Sequence, residues 1–493
     1  MFVRLEKTMR TKKGINYKNR IIYRTKSFKN RPPQRNRIER ILQSYFESNF
    51  DVYNLLDDRP QYLKSTYVKL TFLICMGISI GWFCFCYNLS IRWIAELAQY
   101  VSKFGSYLIV ISIALIPGFM NMYLLSSYLF DKRKTHFRPF YFPNITVLIA
   151  AYNEESCIKN TLQSISKQEY PADIDIILID DGSNDNTIAI AQNLGLKNLH
   201  IIKENHQGKA NALNKGLLYA QNEYIVTVDA DTFLDKHAIY ELIKKLLSCP
   251  KNTAACAGSV FVKNETQSII TQLQSWDYLL AISIIKRAQS FLNGTLVAQG
   301  AFSAYKKSVL SEVLGWPNLV GEDIVLTWAM LDKGYETTYA EKAIAFTSAP
   351  ITYKLFFHQR TRWARGLIEA FIHHKKILFK KHTFVFFIYW NIFFIFIDII
   401  RFLIFIPSII TLLFGNYMFF CPYFLILLFT SFINNAFFYL GQRKLFKSYG
   451  YYVKFNLPGF MLYTIFYQYL MNFPVIYGYY LEFFKRKKTW GTK

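Results

Sequence analysis

The chain has 493 residues, of which 52% are hydrophobic and 18% aromatic, and its formal net charge at pH 7 is +25. This apolar content excludes a disordered chain, and apolar blocks long enough to cross a bilayer argue against an ordinary soluble enzyme. The seven cysteines form no Cys-x-x-Cys pair and no zinc-type spacing. We therefore interpret them as thiols in a reducing compartment or in lipid.

Much of the positive charge lies in the first 40 residues, which hold 14 Lys or Arg against Glu6 and Glu39. We predict that residues 1–66 form a basic cytoplasmic tail that lies on anionic lipid headgroups. Nucleic-acid binding and a partner-binding role are the alternatives. The lack of a zinc-finger or RNA-binding signature, together with the adjacent apolar segment, argues against nucleic acid as a partner.

Two apolar runs follow this tail, Lys69–Ile91 and Gly105–Phe130. Each supplies the roughly 20 residues that a helix needs to cross a hydrocarbon core of about 30 Å. Basic residues precede the first run, and Lys132-Arg133-Lys134 follows the second. Because basic loops favour the cytoplasmic side, this pattern predicts a transmembrane hairpin over residues 67–130 with both ends in the cytoplasm.

Residues 144–350 have the texture of an α/β domain. The runs Ile145–Ala150, Ile174–Ile179 and Tyr224–Val228 are almost continuously apolar, as strands buried on both faces of a parallel sheet should be. Helical patterns such as Cys157–Lys167 lie between them. The alternation predicts a mostly parallel sheet with helices packed on it.

The apolar texture returns after this domain. We expect interfacial helices over residues 351–382, a transmembrane region over 383–484 and a basic tail over 485–493. Both that tail and the basic stretch Gln442–Lys454 favour the cytoplasm, yet one span over Pro458–Leu481 would put them on opposite sides. Either this last stretch is not a simple span, or the charge rule fails here.

Polar residues follow the predicted strands at the points where the strands end. Asp180-Asp181-Gly182-Ser183 closes the second run, and Asp229-Ala230-Asp231 closes Tyr224–Val228. Ligands of open parallel sheets bind at the carboxyl ends of the strands, and two neighbouring carboxylates can share a divalent cation with phosphates. Taken alone, the first motif is most often a capped turn, and Asp-x-Asp occurs by chance in long chains.

The ordered set of motifs resembles the family 2 glycosyltransferases, and the resemblance covers nearly all of 144–381. The motifs, in chain order, are Asn153-Glu154-Glu155, the Asp-Asp-Gly-Ser turn, His206–Asn214, Asp229-Ala230-Asp231, Gly321-Glu322-Asp323 and Gln359-Arg360-Thr361-Arg362-Trp363. The last is the Q-x-x-R-W signature of the processive, membrane-embedded branch, which includes cellulose, chitin, hyaluronan and poly-N-acetylglucosamine synthases. The resemblance implies a GT-A-like cytosolic domain flanked by transmembrane helices.

The resemblance also implies roles for individual residues. It assigns the nucleotide sugar to Asn153, Glu154, Asp181, Lys209, Asp229 and Arg362. It assigns the acceptor polymer to Glu322, Gln359 and Trp363. It assigns general-base catalysis to Asp323, and a Mg²⁺ or Mn²⁺ ion to Asp229 and Asp231.

Elementary chemistry supports these assignments and leaves alternatives open. Arg362 offers a planar fork for diphosphate oxygens, and Trp363 offers a flat face for a sugar or, alternatively, an interfacial membrane anchor. Lys209 could instead be a solvated helix lysine. Asp323 could take the acceptor proton or could simply cap a helix.

Two stretches, Ile284–Gln289 and Gln299–Lys307, resemble the acceptor region of bacterial poly-β-1,6-N-acetylglucosamine synthases. That group usually has Ser-Gly, and two Arg after the aromatic residue, where this chain has Gln299-Gly300 and Lys306-Lys307. The family also usually has Thr-Glu-Asp where Gly321-Glu322-Asp323 stands here. These departures lie in the part of the resemblance that concerns the polymer.

We expect an integral, multi-pass membrane enzyme of the bacterial plasma membrane with a cytoplasmic catalytic domain. It would polymerise UDP-N-acetylglucosamine into a β-1,6-linked biofilm exopolysaccharide and pass the polymer across the membrane. Its partners would be the UDP-sugar, the growing polysaccharide, the lipid bilayer and accessory export subunits, without nucleic acid. The alternatives are hyaluronan-, chitin- or cellulose-like synthesis, single-sugar transfer to a lipid, and an inactive polysaccharide-binding scaffold.

Overall fold

The computed structural model describes residues 65–131, 139, 141–412, 414–415, 423–452 and 455–484. The predicted basic tails lie almost wholly outside these residues. The helices in chain order are α1 (Ser65–Leu97), α2 (Lys103–Val110), α3 (Ile116–Phe130), α4 (Ile158–Ser166), α5 (Thr187–Asn193), α6 (Lys209–Tyr219), α7 (Ala238–Leu247), α8 (Ile269–Trp276), α9 (Ser283–Phe291), α10 (Lys307–Glu312), α11 (Glu322–Asp332), α12 (Tyr353–His373), α13 (Val385–Ile400), α14 (Ile406–Leu412), α15 (Tyr423–Ser448) and α16 (Leu457–Phe483). Short π-helical turns join α2 to α3, α8 to α9 and α13 to α14.

One eight-stranded sheet forms the centre of the α/β domain, in the order β3-β2-β1-β4-β7-β6-β8-β5. The strands are β1 (Ile145–Ala151), β2 (Ile174–Asp180), β3 (Leu199–Lys203), β4 (Tyr224–Val228), β5 (Phe233–Leu234), β6 (Thr253–Val262), β7 (Phe302–Lys306) and β8 (Glu336–Thr347). Strands β3, β2, β1 and β4 are mutually parallel, β7 is antiparallel to β4 and β6, and β6 is parallel to β8. The predicted mostly parallel sheet is confirmed.

The apolar strands are buried because helices cover both faces of the sheet. Val147 and Ile149 pack with α4 on one face, whereas Leu148 pairs with Ala212 of α6 on the other. This alternation follows from the two-residue side-chain period of a strand. Gly216 of α6 lies so close to the sheet that an added Cβ would approach Ile179 within 2.6 Å.

Three helical stretches within the described part of the chain are long and apolar enough to cross a membrane. They are Tyr67–Leu97, Lys103–Phe130 and Val385–Ile409. The first two coincide with the predicted hairpin, although their sidedness remains a prediction. Arg287 of α9 connects the end of this hairpin to the sheet, since it forms ion pairs with Asp131 at 2.9 Å and with Glu341 of β8 at 2.8 Å.

The last helix, α16, is continuous through Pro474 and lies along α12. The hydroxyl of Thr361 donates to the carbonyl of Pro474 at 3.1 Å, and Arg365 pairs with Glu482 at 3.0 Å. At Gly478 an added Cβ would come within 2.7 Å of the Thr361 carbonyl, so the two helices approach closely. The Q-x-x-R-W helix is therefore built against the C-terminal helix.

Candidate active site

Three parallel strands bring the predicted motifs to one edge of the sheet. Strands β2, β1 and β4 are neighbours, and they end at Asp180, Ala151 and Val228. Because parallel strands point the same way, the residues that follow them gather at the same edge. The motifs after β1, β2 and β4 accordingly lie side by side, as the sequence predicted.

Asp181 is nearly buried and organises the loop before α6. Its Oδ1 accepts a hydrogen bond from the amide of Gln207 at 2.8 Å, and its Oδ2 accepts one from the amide of Gly208 at 2.9 Å. The imidazole of His206 lies 2.9 Å from the same carboxylate. Gly208 has φ +94°, a conformation that few side chains tolerate. Asp181 thus shapes the binding loop, and a nucleoside could use only its remaining lone pairs.

Asn153 and Glu154 interlock the β1 and β2 loops. The amide of Asn153, which has φ 55°, donates to Ser183 Oγ at 2.9 Å, and its Oδ1 accepts from the amide of Asn184 at 2.9 Å. The amide of Glu154 donates to Thr187 Oγ1 at 2.8 Å. These contacts hold both loops in register.

An aromatic stack stands beside these loops. The ring of Tyr152 stacks on His206 with a centroid distance of 4.1 Å, and Tyr152 remains substantially exposed. Two parallel rings at the carboxyl edge of the sheet offer a face on which a nucleobase could stack. The Asn-Glu motif indicated this loop in the sequence. The stacking of Tyr152 on His206 is a tertiary contact that the sequence did not predict.

Lys209 joins the Asp-x-Asp turn to α11. Its ammonium pairs with Asp229 and lies 3.7 Å from Glu322. A hydrogen bond from α4 also holds this turn, because Thr161 Oγ1 donates to the carbonyl of Ala230 at 2.7 Å. Lys209 therefore lies within the predicted site rather than on a solvated helix face.

Two carboxylates in this cleft have raised pKa values. Burial, followed by the charges of Asp229 and Glu154, raises the pKa of Asp231 to about 6. Burial also raises the pKa of Glu322 to about 7 against the opposing charge of Lys209. Burial alone would lower the pKa of Lys209, but the surrounding carboxylates hold it above its ordinary value. The cleft thus has an excess of negative charge that a bound cation would relieve.

Asp323 stands at the start of α11, opposite Asp229. Its Oδ2 accepts from the amide of Gly300 at 3.2 Å, and its Oδ1 accepts from the amide of Ile324 at 2.7 Å. The same loop reaches Asp229, whose amide donates to the carbonyl of Ala301 at 3.2 Å. One short loop therefore contacts the carboxylate of Asp323 and the backbone of Asp229.

The Q-x-x-R-W residues come from α12. Trp363 is 42% exposed, and its ring centroid is 6.3 Å from that of the buried Tyr278. Gln359 Oε1 and Arg362 Nε are buried and have no hydrogen-bond partner among the described residues. Buried polar atoms normally have partners, so these two are suited to a ligand.

Tyr278 connects this helix to the Asp-x-Asp turn. Burial is the main reason that its pKa is raised to about 12, and the charges of Asp231 and Asp229 contribute in the same direction. Trp363 contacts Tyr278, and the charges of Asp231 and Asp229 act on the same tyrosine. That all the predicted residues form one site stays a prediction.

The sequence named several residues around the cleft only within longer segments and gave them no individual role. Gly300 is close enough that an added Cβ would lie 2.7 Å from Lys209 Nζ. Lys286 is buried, donates to the carbonyl of Val297 at 2.6 Å, and has a pKa lowered by burial to about 7. Arg360, which stands inside the Q-x-x-R-W motif, pairs with Asp277. Asp277 had no sequence signal of its own.

A groove of about 670 Å³ lies beside the cleft, between α6 and α10. It reaches the motif residues at Asp181 and Gln207 and is otherwise lined by residues such as Asn214 and Lys215 of α6 and Ser311 of α10. It is therefore adjacent to the cleft and does not contain Asp231, Asp323 or Trp363.

Comparisons with known proteins agree with this geometry. The sequence pattern of the family described as Glycosyl transferase family 2 matches residues 146–314. A poly-β-1,6-N-acetyl-D-glucosamine synthase of Staphylococcus epidermidis is 34% identical over 271 residues, which are 52% of this chain and 65% of that protein. A synthase of the same name from Staphylococcus aureus is 33% identical over 231 residues, or 46% of this chain and 55% of that protein. The match spans less than two thirds of these relatives.

Among solved structures, a mannosyltransferase from Pyrobaculum calidifontis in complex with GDP-Man and Mn²⁺ is similar, with a TM-score of 0.51 and 18% identity. The similarity covers 80% of this chain and all of that one. At this identity the likeness concerns the fold, which is the GT-A fold. Residues 146–314 of the chain therefore match the glycosyltransferase family 2 pattern, and the domain has the GT-A fold, flanked by apolar helices.

Proposed function

We propose that the protein is a membrane-embedded, processive, inverting glycosyltransferase that polymerises a UDP-sugar. The favoured donor is UDP-N-acetylglucosamine and the favoured product is a β-1,6-linked polymer, in keeping with the names of the similar synthases. The observation that carries the proposal is the convergence of Lys209, Asp229, Glu322 and Asp323 around Gly300. This convergence supports a role for Lys209 in binding phosphate and for Asp323 as the base.

The donor side of the cleft suits a nucleoside diphosphate. Lys209 and Arg362 would bind the diphosphate oxygens, and Asp229 and Asp231 would hold Mg²⁺ or Mn²⁺. No group of three or more His, Cys, Asp or Glu suited to a metal occurs in the described residues, yet two carboxylates fit because Mg²⁺ usually completes its shell with phosphates and water. Burial, followed by the charges of Asp229 and Glu154, raises the pKa of Asp231, and a bound cation would favour its ionised form. When bound, the ion would offset the charge that develops on the leaving diphosphate.

The acceptor side suits an attacking hydroxyl. In an inverting displacement, the acceptor oxygen forms a bond to the anomeric carbon while the bond from that carbon to the diphosphate breaks on the opposite face. The proton of the hydroxyl passes to Asp323, and UDP leaves with the bonding electron pair. The amides of Gly300 and Ile324 orient the Asp323 carboxylate for this step.

The growing chain would be held by Trp363 through ring stacking and by Gln359 through its unpartnered amide oxygen. Glu322 is nearly buried and paired with Lys209. It would contact the acceptor from inside the cleft. The apolar helices after α12 would accompany the polymer through the bilayer, with the catalytic domain in the cytoplasm of a bacterium. Accessory export subunits would join at the membrane.

The test is synthesis by membranes that contain the full chain. Each radiolabelled UDP-sugar is supplied separately with Mg²⁺ or Mn²⁺, and products are digested with linkage-specific glycosidases. We expect polymer from UDP-N-acetylglucosamine that only a β-1,6-specific glycosidase degrades. Membranes with Asp323→Asn are the matched control.

Other outcomes correspond to the alternative functions. A polymer sensitive to chitinase, hyaluronidase or cellulase would replace the proposed product by the corresponding polymer. A lipid carrying one labelled sugar would replace polymerisation by single transfer. If wild-type and Asp323→Asn membranes are equally inactive with every UDP-sugar but bind a polysaccharide, the inactive polysaccharide-binding scaffold would replace the enzyme.

A further inference from the structure

Arg360 carries a buried charge in the middle of the Q-x-x-R-W segment. It is 1% exposed, and its Nη2 lies 3.2 Å from Asp277 Oδ2. The hydroxyl of Tyr467 donates to the same Asp277 oxygen at 2.8 Å. These three residues belong to α12, to the π-helical turn Asp277–Ile282 and to α16. Since a buried charge is tolerated only with partners, the ion pair with Asp277, whose carboxylate Tyr467 holds, locates the Arg360 guanidinium. Nε and Nη2 of Arg360 make no hydrogen bond among the described residues, so the contact with Asp277 is an ion pair.

The other side of the guanidinium faces the ring of Trp363. The Arg360 Cζ is 4.0 Å from the Trp363 ring centroid and 5.2 Å from that of Phe356. These distances are typical of cation–π contacts. Residues three apart on a helix lie on the same face, so Arg360 covers one part of the indole while 42% of Trp363 stays exposed.

We propose that Arg360, held by Asp277 and Tyr467, is a positioning residue that fixes the Trp363 indole in the orientation that retains the growing polymer. The inference rests on the proposed function and adds to it a determinant of product length. The Q-x-x-R-W pattern leaves this position open, so the role comes from the contacts of this chain. Because Tyr467 lies on α16, the C-terminal helix takes part in holding the acceptor.

A purely architectural role of the ion pair is the rival explanation. A single substitution would leave one charge buried without its partner and would destabilise the fold for that reason alone. Replacing the whole trio by apolar side chains avoids this, because such replacements of buried ion pairs often preserve stability. The diagnostic protein is therefore Arg360→Met with Asp277→Leu and Tyr467→Phe.

A second variant, Arg360→Lys, keeps the charge opposite Asp277 and so keeps the fold. A compact ammonium cannot pair with Asp277 and also cover the indole with a flat surface. Both variants test the same contact, and Arg360→Lys answers the question even if the triple variant does not fold.

The measurements are product length, UDP release and the KM values for donor and for an added acceptor oligosaccharide, made on the full chain in membranes. We expect both variants to shorten the product and to raise the acceptor KM by roughly tenfold, the effect of losing one cation–π contact of about 1.4 kcal/mol. The donor KM should stay unchanged. UDP release should continue, with more of the sugar lost to water.

The control is Arg365→Met with Glu482→Leu, which removes a different buried ion pair of α12, the one that joins it to α16. Arg365 is two residues beyond Trp363, and side chains two apart on a helix do not face each other. This control should make product of wild-type length.

Full-length polymer from folded Arg360→Lys or from the folded triple variant would overturn the inference. Equal shortening by the control would also overturn it, since helix packing would then be the cause. Lack of polymer from the wild type with every UDP-sugar would overturn the proposed function itself. The wild-type reaction therefore separates the two failures.

Discussion

The backbone amide of Gly300 donates a hydrogen bond to Oδ2 of Asp323 at 3.2 Å, which places the candidate base against the loop that also contacts Asp229 and Lys209. Few side chains would fit at this point, because a Cβ added at Gly300 would lie 2.7 Å from Lys209 Nζ. The adjacent residues Gly300 and Ala301 contact Asp323 and Asp229, respectively. Substitutions at Asp323 and at Gly300 test this arrangement separately.

Asp323→Asn should abolish polymer synthesis while UDP-sugar binding persists. An amide keeps the shape of the carboxylate but cannot accept the hydroxyl proton, so we expect a loss of at least ~10²–10⁴-fold in kcat. Binding of UDP, measured by calorimetry on the purified protein, is the companion measurement. Near-normal turnover by Asp323→Asn would assign the base to another residue.

Gly300→Ala should impair the site without unfolding the protein. The new Cβ would lie 2.7 Å from Lys209 Nζ, which is the flexible end of a side chain and can move away from Asp229. Losing one charge-assisted hydrogen bond corresponds to about tenfold or more in kcat/KM. Gly77→Ala is the matched control, because an added Cβ there meets nothing within 4 Å. Equal activity of the two variants would contradict this account of Gly300.

Asp231→Ala should remove the dependence of UDP binding on Mg²⁺ or Mn²⁺. A divalent ion needs the ionised carboxylate, and the pKa of Asp231 is raised to about 6, mainly by burial. In the wild type, metal affinity should therefore weaken as the pH falls through about 6. Titration of UDP binding against metal at several pH values checks both statements. A normal metal response in Asp231→Ala would remove the Asp229–Asp231 pair as the metal site.

Lys286→Met should change how stability depends on pH. Burial lowers the pKa of Lys286 from 10.5 to about 7 in the folded chain. Between these values the unfolded state binds the proton and the folded state does not, so the free energy of unfolding rises with pH from about 7 to 10.5 and is flat with respect to this group below about 7. Lys286→Met should lose this rise and should be more stable than the wild type near neutral pH. The melting temperature of the detergent-solubilised protein across pH 6–10 measures it, and identical profiles would contradict the prediction.

Trp363→Ala and Arg362→Ala should fail in different ways. Loss of the indole removes an acceptor contact, so the first variant should release UDP while making short oligomers or free sugar. Loss of the guanidinium removes a diphosphate contact, so the second should slow polymerisation and hydrolysis together. The ratio of UDP released to sugar polymerised distinguishes them. If both variants keep the wild-type ratio and are only slower, Trp363 is a packing residue or a membrane anchor.

Much of the fold could be predicted because it depends on residues that are close to one another in the chain. Tyr224–Val228 was predicted with its observed bounds, and Ile145–Ala150 and Ile174–Ile179 each end one residue short of the observed strand. Strands buried on both faces give continuous apolar runs, and short polar turns mark where they end. The edge strand β3 was not predicted, since its alternating burial gives a weaker pattern.

The sequence by itself determined the strands β1, β2 and β4, the apolar helices and the identity of the acids at the ends of those strands, because each depends on periodicity or on neighbours in the chain. Only the tertiary structure decided that the Asp181 carboxylate accepts hydrogen bonds from the loop before α6. It also decided that Lys209 pairs with Asp229, and that Arg287 forms ion pairs with both the end of the hairpin and β8. Asp277 and Tyr467 are separated by 190 residues, yet they share one hydrogen bond beneath Arg360. Such contacts depend on which helices pack together, and that choice follows from burying charge and volume across the whole molecule rather than from any local pattern.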